Sequence, residues 1–392
     1  MNSPEIFPNS TNLFARQRFS ISPTFGVLGT FPPTVCGLAT FSAALADGLS
    51  ANGAEASVVR VSDGPSHPDP RVVGELVNGS SASVAASSEL LSQNQIAVIQ
   101  HEYGIYGGVD GDEVLEVVRG LRVPSIVVAH TILKHPSPHQ RAVLETIAAM
   151  ADQVVVMSES ASERLCFGYD VDRRKVTTIP HGVTIPRRAT VRRSGRPTLL
   201  TWGLLGPGKG VERVIDAMCS LRDLPGRPRY LIAGQTHPKV LAADGESYRI
   251  ARIEQARRRG VAAAVSFDAG YQTVSSLNAL AQSATVVVLP YDSADQVTSG
   301  VLVDAIASGR PVVATAFPHA VELLAGGAGI VVDHDDPDAL VSALRRVVTD
   351  PYLAGSMAEA ARRLAPTMAW AVVAEQYLHL ARRLIAERSA LV

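Results

Sequence analysis

The chain has 392 residues, 46% of them hydrophobic and 19% charged, a balance that excludes global disorder and predicts two compact domains of roughly 150 to 200 residues each. Its 36 lysines and arginines face 37 aspartates and glutamates, so no net field draws it onto nucleic acid or an anionic membrane. Three scattered cysteines, Cys36, Cys166 and Cys219, lack any Cys-x-x-Cys spacing, which argues against a disulfide framework or a zinc site and for a reducing, cytoplasmic location.

Residues 1–22 read as a flexible terminus without an apolar run of signal-peptide length, and no later segment approaches about 18 uncharged apolar residues, so at most peripheral membrane contact is expected. Residues 23–184 form the first expected domain. There FGVLGTF is a short apolar run, PPTVCG a turn, LATFSAALADGLSANG a helix ending at Gly53, and ASVVRV a second strand. IAVIQH, SIVVAH and QVVVMS follow, each rich in β-branched residues and apolar on both faces, the pattern of parallel strands joined by helices. The segment TIPRRATVRRSGRP has five arginines and no hydrophobic period, which predicts a solvated linker at 185–197.

Residues 198–366 repeat the alternation: TLLTWG, a helix over VERVIDAMCSL, RYLIAG, an arginine-rich helix through ARIEQARRRG, then VSFDAG, TVVVLP, PVVATA and GIVV. Residues 367–392 hold an amphipathic helix from Trp370, with Val372, Val373, Tyr377, Leu380 and Leu384 on the face that packs against the body. The fold class is therefore α/β: two facing, doubly wound Rossmann-like domains with a ligand-binding cleft between the carboxyl ends of their strands.

Two stretches carry the chemistry. In LPYDSADQVTSGVLVDAIASGRPVVAT, residues 289–315, a polar loop after a strand enters a helix near Ser299, Gly300 and Val301, where free backbone amides suit a diphosphate. Asp304, one turn in, is placed to accept from ribose hydroxyls, and Gln296, on the loop side, to meet sugar hydroxyls. In WGLLGPGKGVERVIDA, residues 202–217, a strand, a glycine-rich loop with Gly208, and a helix present Lys209 to a developing diphosphate charge. GPGKG lacks the spacing and the Ser/Thr of a P-loop.

These stretches resemble the retaining GT-B glycosyltransferases of the large family 4 type, which includes bacterial mannosyltransferases and sucrose synthases. That family carries Glu, seven residues, Glu; Gln296 and Asp304 stand at the two positions. Leu204 stands where the family has an arginine. The resemblance extends to the first domain, where Gly37 matches a glycine whose backbone approaches the donor phosphates and His130 a histidine that meets the transferred sugar. It implies donor contacts from Gly37, Gly208, Tyr271, Gln296, Ser299, Gly300, Val301 and Asp304, catalytic roles for His130 and Lys209, and acceptor contacts from His101 and Tyr103 in QHEYGIYGG.

IPHGVTIP, with His181 for the family's asparagine, reads as a hinge turn. Two Asp-x-Asp triplets, Asp110 with Asp112 and Asp333 with Asp335, read as a turn and a helix cap, and no metal or cofactor is expected beyond a nucleotide-diphosphate sugar as co-substrate. The implied activity is retaining transfer of a hexose, from a GDP-mannose or UDP-glucose type donor, to a hydroxyl on a sugar, glycan or glycolipid. The alternatives are a nucleotide-binding relative that has lost catalysis, prompted by Leu204, Gln296 and Asp304, and a GT-B phosphorylase or epimerase.

Overall fold

The structure, a computed structural model, describes residues 22–64, 68–186, 195–270 and 274–390. All but the last residue of the expected flexible terminus (1–22), most of the expected arginine linker and Tyr271 fall outside the described residues.

The strands are β1 (Thr24–Gly29), β2 (Glu55–Val61), β3 (Val72–Leu76), β4 (Ile96–His101), β5 (Ser125–Ala129), β6 (Gln153–Val156) and β7 (Val176–Thr178), then β8 (Thr198–Trp202), β9 (Arg229–Ala233), β10 (Val265–Asp268), β11 (Val286–Leu289), β12 (Val312–Thr315) and β13 (Gly329–Val332). The helices of the first half are α1 (Gly37–Ala51), α2 (Ser81–Leu91), α3 (Val114–Arg119), α4 (Pro138–Met150) and α5 (Glu159–Gly168). Those of the second are α6 (Val211–Leu221), α7 (Pro238–Asp244), α8 (Ser247–Arg258), α9 (Val274–Ser283), α10 (Gly300–Ala307), α11 (Pro318–Leu324), α12 (Pro337–Thr349), α13 (Pro351–Leu364) and α14 (Trp370–Ala390).

Two parallel sheets result, ordered β3-β2-β1-β4-β5-β6-β7 and β10-β9-β8-β11-β12-β13. Both follow the doubly wound order, in which the chain returns past its first strand and helices cover both faces. Alternate strand residues feed alternate layers. Leu28, Ile99 and Val127 join one core of the first sheet, while Phe25, Val98 and Ile126 join the core on its other face. The second sheet divides in the same way, Leu200 and Val287 against Leu199 and Val286.

Side chains at helix starts explain several boundaries. Ser137 and Gln140 form a reciprocal capping box ahead of α4, and Asp336 and Asp350 cap α12 and α13 through backbone amides. The C-terminal helix returns to the first domain: Val373, Tyr377, Leu380 and Leu384 are buried with Leu45 and Leu49 of α1. Val372, expected on that face, is 40% exposed, because its neighbour Val373 takes the inward position and consecutive residues on a helix point about 100° apart. Among the described residues no helix is long and apolar enough to cross a membrane.

Candidate functional site

In each sheet the winding reverses beside the first strand, between β1 and β4 and between β8 and β11, so the loops after those strands diverge and open a crevice. In the second sheet these are the loops at 203–210 and 290–299. They pack so closely that a Cβ on Gly210 would stand 1.7 Å from the Pro290 carbonyl oxygen, and Gly210 has φ of +63°. Glycine is required there on both counts. The Asp292 amide donates to the Gly208 carbonyl at 3.0 Å and ties the loops together.

The consequence is a cavity of about 420 Å³ whose lining includes Leu204, Gly208, Lys209, Tyr291 and Gln296, with His237 from the loop after β9 and Lys239 from the first turn of α7. Lys209 Nζ lies 4.6 Å above the centre of the Tyr291 ring, a cation–π contact that holds the ammonium while leaving its charge uncompensated. Gln296 donates from Nε2 to the Thr298 carbonyl at 3.0 Å. A second cavity, of about 200 Å³, brings Cys36, Gly37 and Thr40 of the first domain opposite Gly203, Gly234 and Leu277 of the second. Leu204 lines both cavities, and a Cβ on Gly37 would meet nothing within 4 Å.

The start of α10 is more occupied than its sequence implies. The Leu302 amide donates to Ser299 Oγ at 3.3 Å and the Ser299 amide to His319 Nδ1 at 2.8 Å. The amides of Gly300 and Val301 keep no partner among the described residues. Gly300 was expected to leave open space for a ligand. That space is instead filled by His181, whose Nε2 lies 3.1 Å from where a Cβ would be. The Asp304 carboxyl makes no hydrogen bond or ion pair among the described residues, and burial pushes it up to about 6.

The facing wall is built on histidines. His130 Nε2 donates to Gln100 Oε1 at 2.6 Å, and the ring meets Phe41 edge-on at 4.9 Å. His181 meets the same Phe41 at 5.2 Å. Burial, aided by the neighbouring His181 and His101, holds the His130 imidazole down at about 3. Burial likewise lowers His101, His181 and His319 to about 4, so all four rings are neutral at pH 7. His101 is 1% exposed and sits behind the wall with its ring edge-on to Tyr103 at 5.1 Å. It presents no surface to an acceptor, contrary to expectation. Tyr103 is half-buried.

Polar ties across the cleft fix the two walls. Ser158 Oγ donates to the Val297 carbonyl at 2.6 Å, and Arg164 donates to the carbonyls of Ile132 at 3.0 Å and Asp295 at 2.6 Å. The Glu322 carboxylate accepts from the amides of Glu159 and Ser160, each at 3.0 Å, capping α5 from the opposite domain. In the segments that follow β4 and β5, Asp110 and Asp112 both face His139, at 3.1 and 3.4 Å. The sequence reading passed over His237, Lys239, His319 and Glu322 and took His181 for a turn residue only. Three of them lie just beyond strand ends, where open α/β sheets place their ligand contacts, and that position was the available signal.

Residues 35–187 match the family described as Glycosyltransferase Family 4, and residues 196–350 that described as Glycosyl transferases group 1. The chain is 29% identical over 280 residues to D-inositol 3-phosphate glycosyltransferase of Salinispora arenicola, covering 63% of this chain and 61% of that protein. It is 30% identical over 231 residues to glycogen synthase of Mycobacterium tuberculosis, covering 57% and 52%. Matches to the D-inositol 3-phosphate glycosyltransferases thus span about three fifths of their length. Among solved structures, sucrose-phosphate synthase from Thermosynechococcus elongatus superposes with a TM-score of 0.71 at 20% identity, over 93% of this chain and all of that one. Anabaena HepE in complex with UDP and glucose gives 0.73 at 16% identity, over 92% of this chain and 100% of that one.

Proposed function

We propose that the chain, whose residues 35–187 and 196–350 match two glycosyltransferase families, is a GT-B glycosyltransferase that transfers a hexose from a nucleotide-diphosphate sugar to a hydroxyl acceptor with retention of anomeric configuration. One observation carries the reading: Lys209 and Gln296 line one cavity in the second domain, and across Leu204 the open backbone at Gly37 faces it from the first.

In this reading the diphosphate lies between the glycine-rich loop and the unpartnered amides of Gly300 and Val301, with Ser299 capping their helix. Lys209 opposes the charge that grows as the sugar departs. Gly208 lets the backbone approach the phosphates, Asp304 accepts from the ribose and Gln296 from the sugar. His130, neutral and oriented by Gln100, hydrogen-bonds the sugar rather than acting as an acid. The acceptor oxygen attacks the face the nucleotide leaves, and its proton passes to the departing diphosphate. Substrate positioning and fixed charge then supply the rate, without a protein nucleophile or a metal.

GDP-mannose and UDP-glucose remain the donor types, the second supported by HepE having been solved with UDP and glucose. The relatives named for D-inositol 3-phosphate make a phosphorylated polyol a candidate acceptor beside sugars, glycans and glycolipids. Leu204, apolar at the junction of both cavities, favours a second reading, in which the protein binds nucleotide and no longer turns over.

The deciding experiment is a thermal-shift panel with GDP, UDP, ADP, TDP and their hexose conjugates, followed by the anomeric configuration of the product for whichever donor binds. Selective stabilisation with slow sugar release supports transfer. Binding without release supports the lapsed relative, and no shift with any nucleotide removes the proposal. Lys209→Ala is expected to lower transfer about 100- to 1000-fold while leaving the melting temperature nearly unchanged.

A further inference from the structure

We propose that Lys239 is a second cation for the donor diphosphate, working with Lys209 from a different loop; this rests on the nucleotide-sugar reading above. Lys239 is the second residue of α7, which follows the loop after β9. That loop is bound to the glycine-rich loop by two backbone hydrogen bonds: the Leu205 amide donates to the Gln235 carbonyl and the His237 amide to the Leu205 carbonyl, both at 2.8 Å. Gly206 permits the approach, since a Cβ there would come within 3.1 Å of Val240 Cγ2.

The far side of the loop is equally fixed. Arg249, with a side chain 8% exposed, donates to the Gly234 carbonyl at 2.7 Å and pairs with Glu246 at 3.1 Å, and Glu246 in turn accepts from Thr236 Oγ1 at 2.6 Å. Lys239 is therefore presented by an anchored turn.

Its side chain crosses the cleft. Nζ lies 3.9 Å from the position a Cβ would take on Gly104 of the first domain, and the residue lines the same cavity of about 420 Å³ as Lys209. Among the described residues neither lysine pairs with a carboxylate, whereas Lys134 at the cleft pairs with Asp295 at 3.4 Å. Two uncompensated ammonium groups in one cavity repel each other, an arrangement that an anion of more than one charge relieves. A nucleoside diphosphate carries more negative charge than a single ammonium balances. Leu204, at the same cavity, contributes none.

The test is calorimetric titration of the wild type, Lys239→Ala, Lys239→Arg and Lys209→Ala with the preferred nucleoside diphosphate and with the matching nucleoside monophosphate. Lys239→Ala is expected to weaken the diphosphate about tenfold, equivalent to about 1.4 kcal/mol, to change the monophosphate less than twofold, and to flatten the salt dependence. Lys239→Arg should recover most of the loss. Because Lys239 is exposed, an unchanged melting temperature confirms that each variant folds. If the wild type and Lys239→Ala bind the diphosphate equally while Lys209→Ala does not, the assignment of Lys239 is overturned and the nucleotide reading stands. If the wild type binds no nucleoside diphosphate, both fall.

Discussion

The two walls of the cleft come from sheets of the same strand order and carry different chemistry. In the second domain the loop after β8 is shaped by backbone, with Gly203, Gly208 and Gly210 all at positive φ, and it presents a half-buried lysine, Lys209, to the cavity. In the first, the loop after β1 is shaped by a buried charge. Arg60, 1% exposed, donates to the Phe31 carbonyl at 3.4 Å and to Thr34 Oγ1 at 3.2 Å and pairs with Asp63 and Glu75. The first wall beyond that loop consists of neutral histidines. Topology thus places a crevice at the same point in both domains, and the residues at the loop ends decide whether it attracts an anion or presents uncharged donors.

Acid pH is the broadest way to break this difference. His101, His130 and His181 of the first wall, and His319 in the second domain, titrate at about 3 to 4 in the folded chain against 6.5 for the free side chain. Between those values the unfolded chain binds protons that the folded chain refuses, so stability is present above about pH 6.5 and is lost as pH falls toward 4. Asp304, raised to about 6 from 3.8, works the other way over nearly the same window and offsets about one of the four protons. A net uptake of about three protons on unfolding is expected, read from denaturant midpoints at half-unit steps from pH 7.5 to 4.5. A flat profile across that range would show that the wall is open to solvent and its histidines ordinary.

Arg60→Ala sharpens the comparison from the other side. Removing the buried guanidinium leaves the Phe31 carbonyl without this donor and takes the charge from the partly exposed Asp63 and Glu75 carboxylates, freeing the loop that leads to Gly37 at an expected cost of about 1–3 kcal/mol. Urea denaturation measures it. A loss under about 1 kcal/mol would mean that the loop holds its shape without its charge.

How much of this was legible in the sequence follows the range of the contacts. The central strands were readable because residues buried on both faces leave an unbroken apolar run, as in Ile96–Ile99 of β4. β3 was not, since only Leu76 at its end is buried; β7 has three residues, all half-buried. Lys209 and Gln296 were readable because each lies in a loop that directly follows a strand. Lys239 is brought to the same cavity by the pairing of Leu205 with Thr236, a tie between two loops that no local pattern announces. The meeting of His181 with Gly300 depends on how one domain docks against the other. Local periodicity does not carry that information.

The smallest expected effect concerns that docking. Glu322 of the second domain caps α5 of the first through the amides of Glu159 and Ser160 and the Ser160 hydroxyl. Glu322→Gln keeps one carbonyl acceptor and removes the charge that favours a helix N-terminus, so a loss of about 0.5–2 kcal/mol is expected. Because the contact joins the domains, the loss should weaken their closure more than either core. Hydrogen exchange should quicken at the start of α5 and along 295–299 while the amides of β4 and β11 stay as protected as before. Uniform quickening through both sheets would instead make the two domains one cooperative unit, and the two walls could not then be treated as separately built.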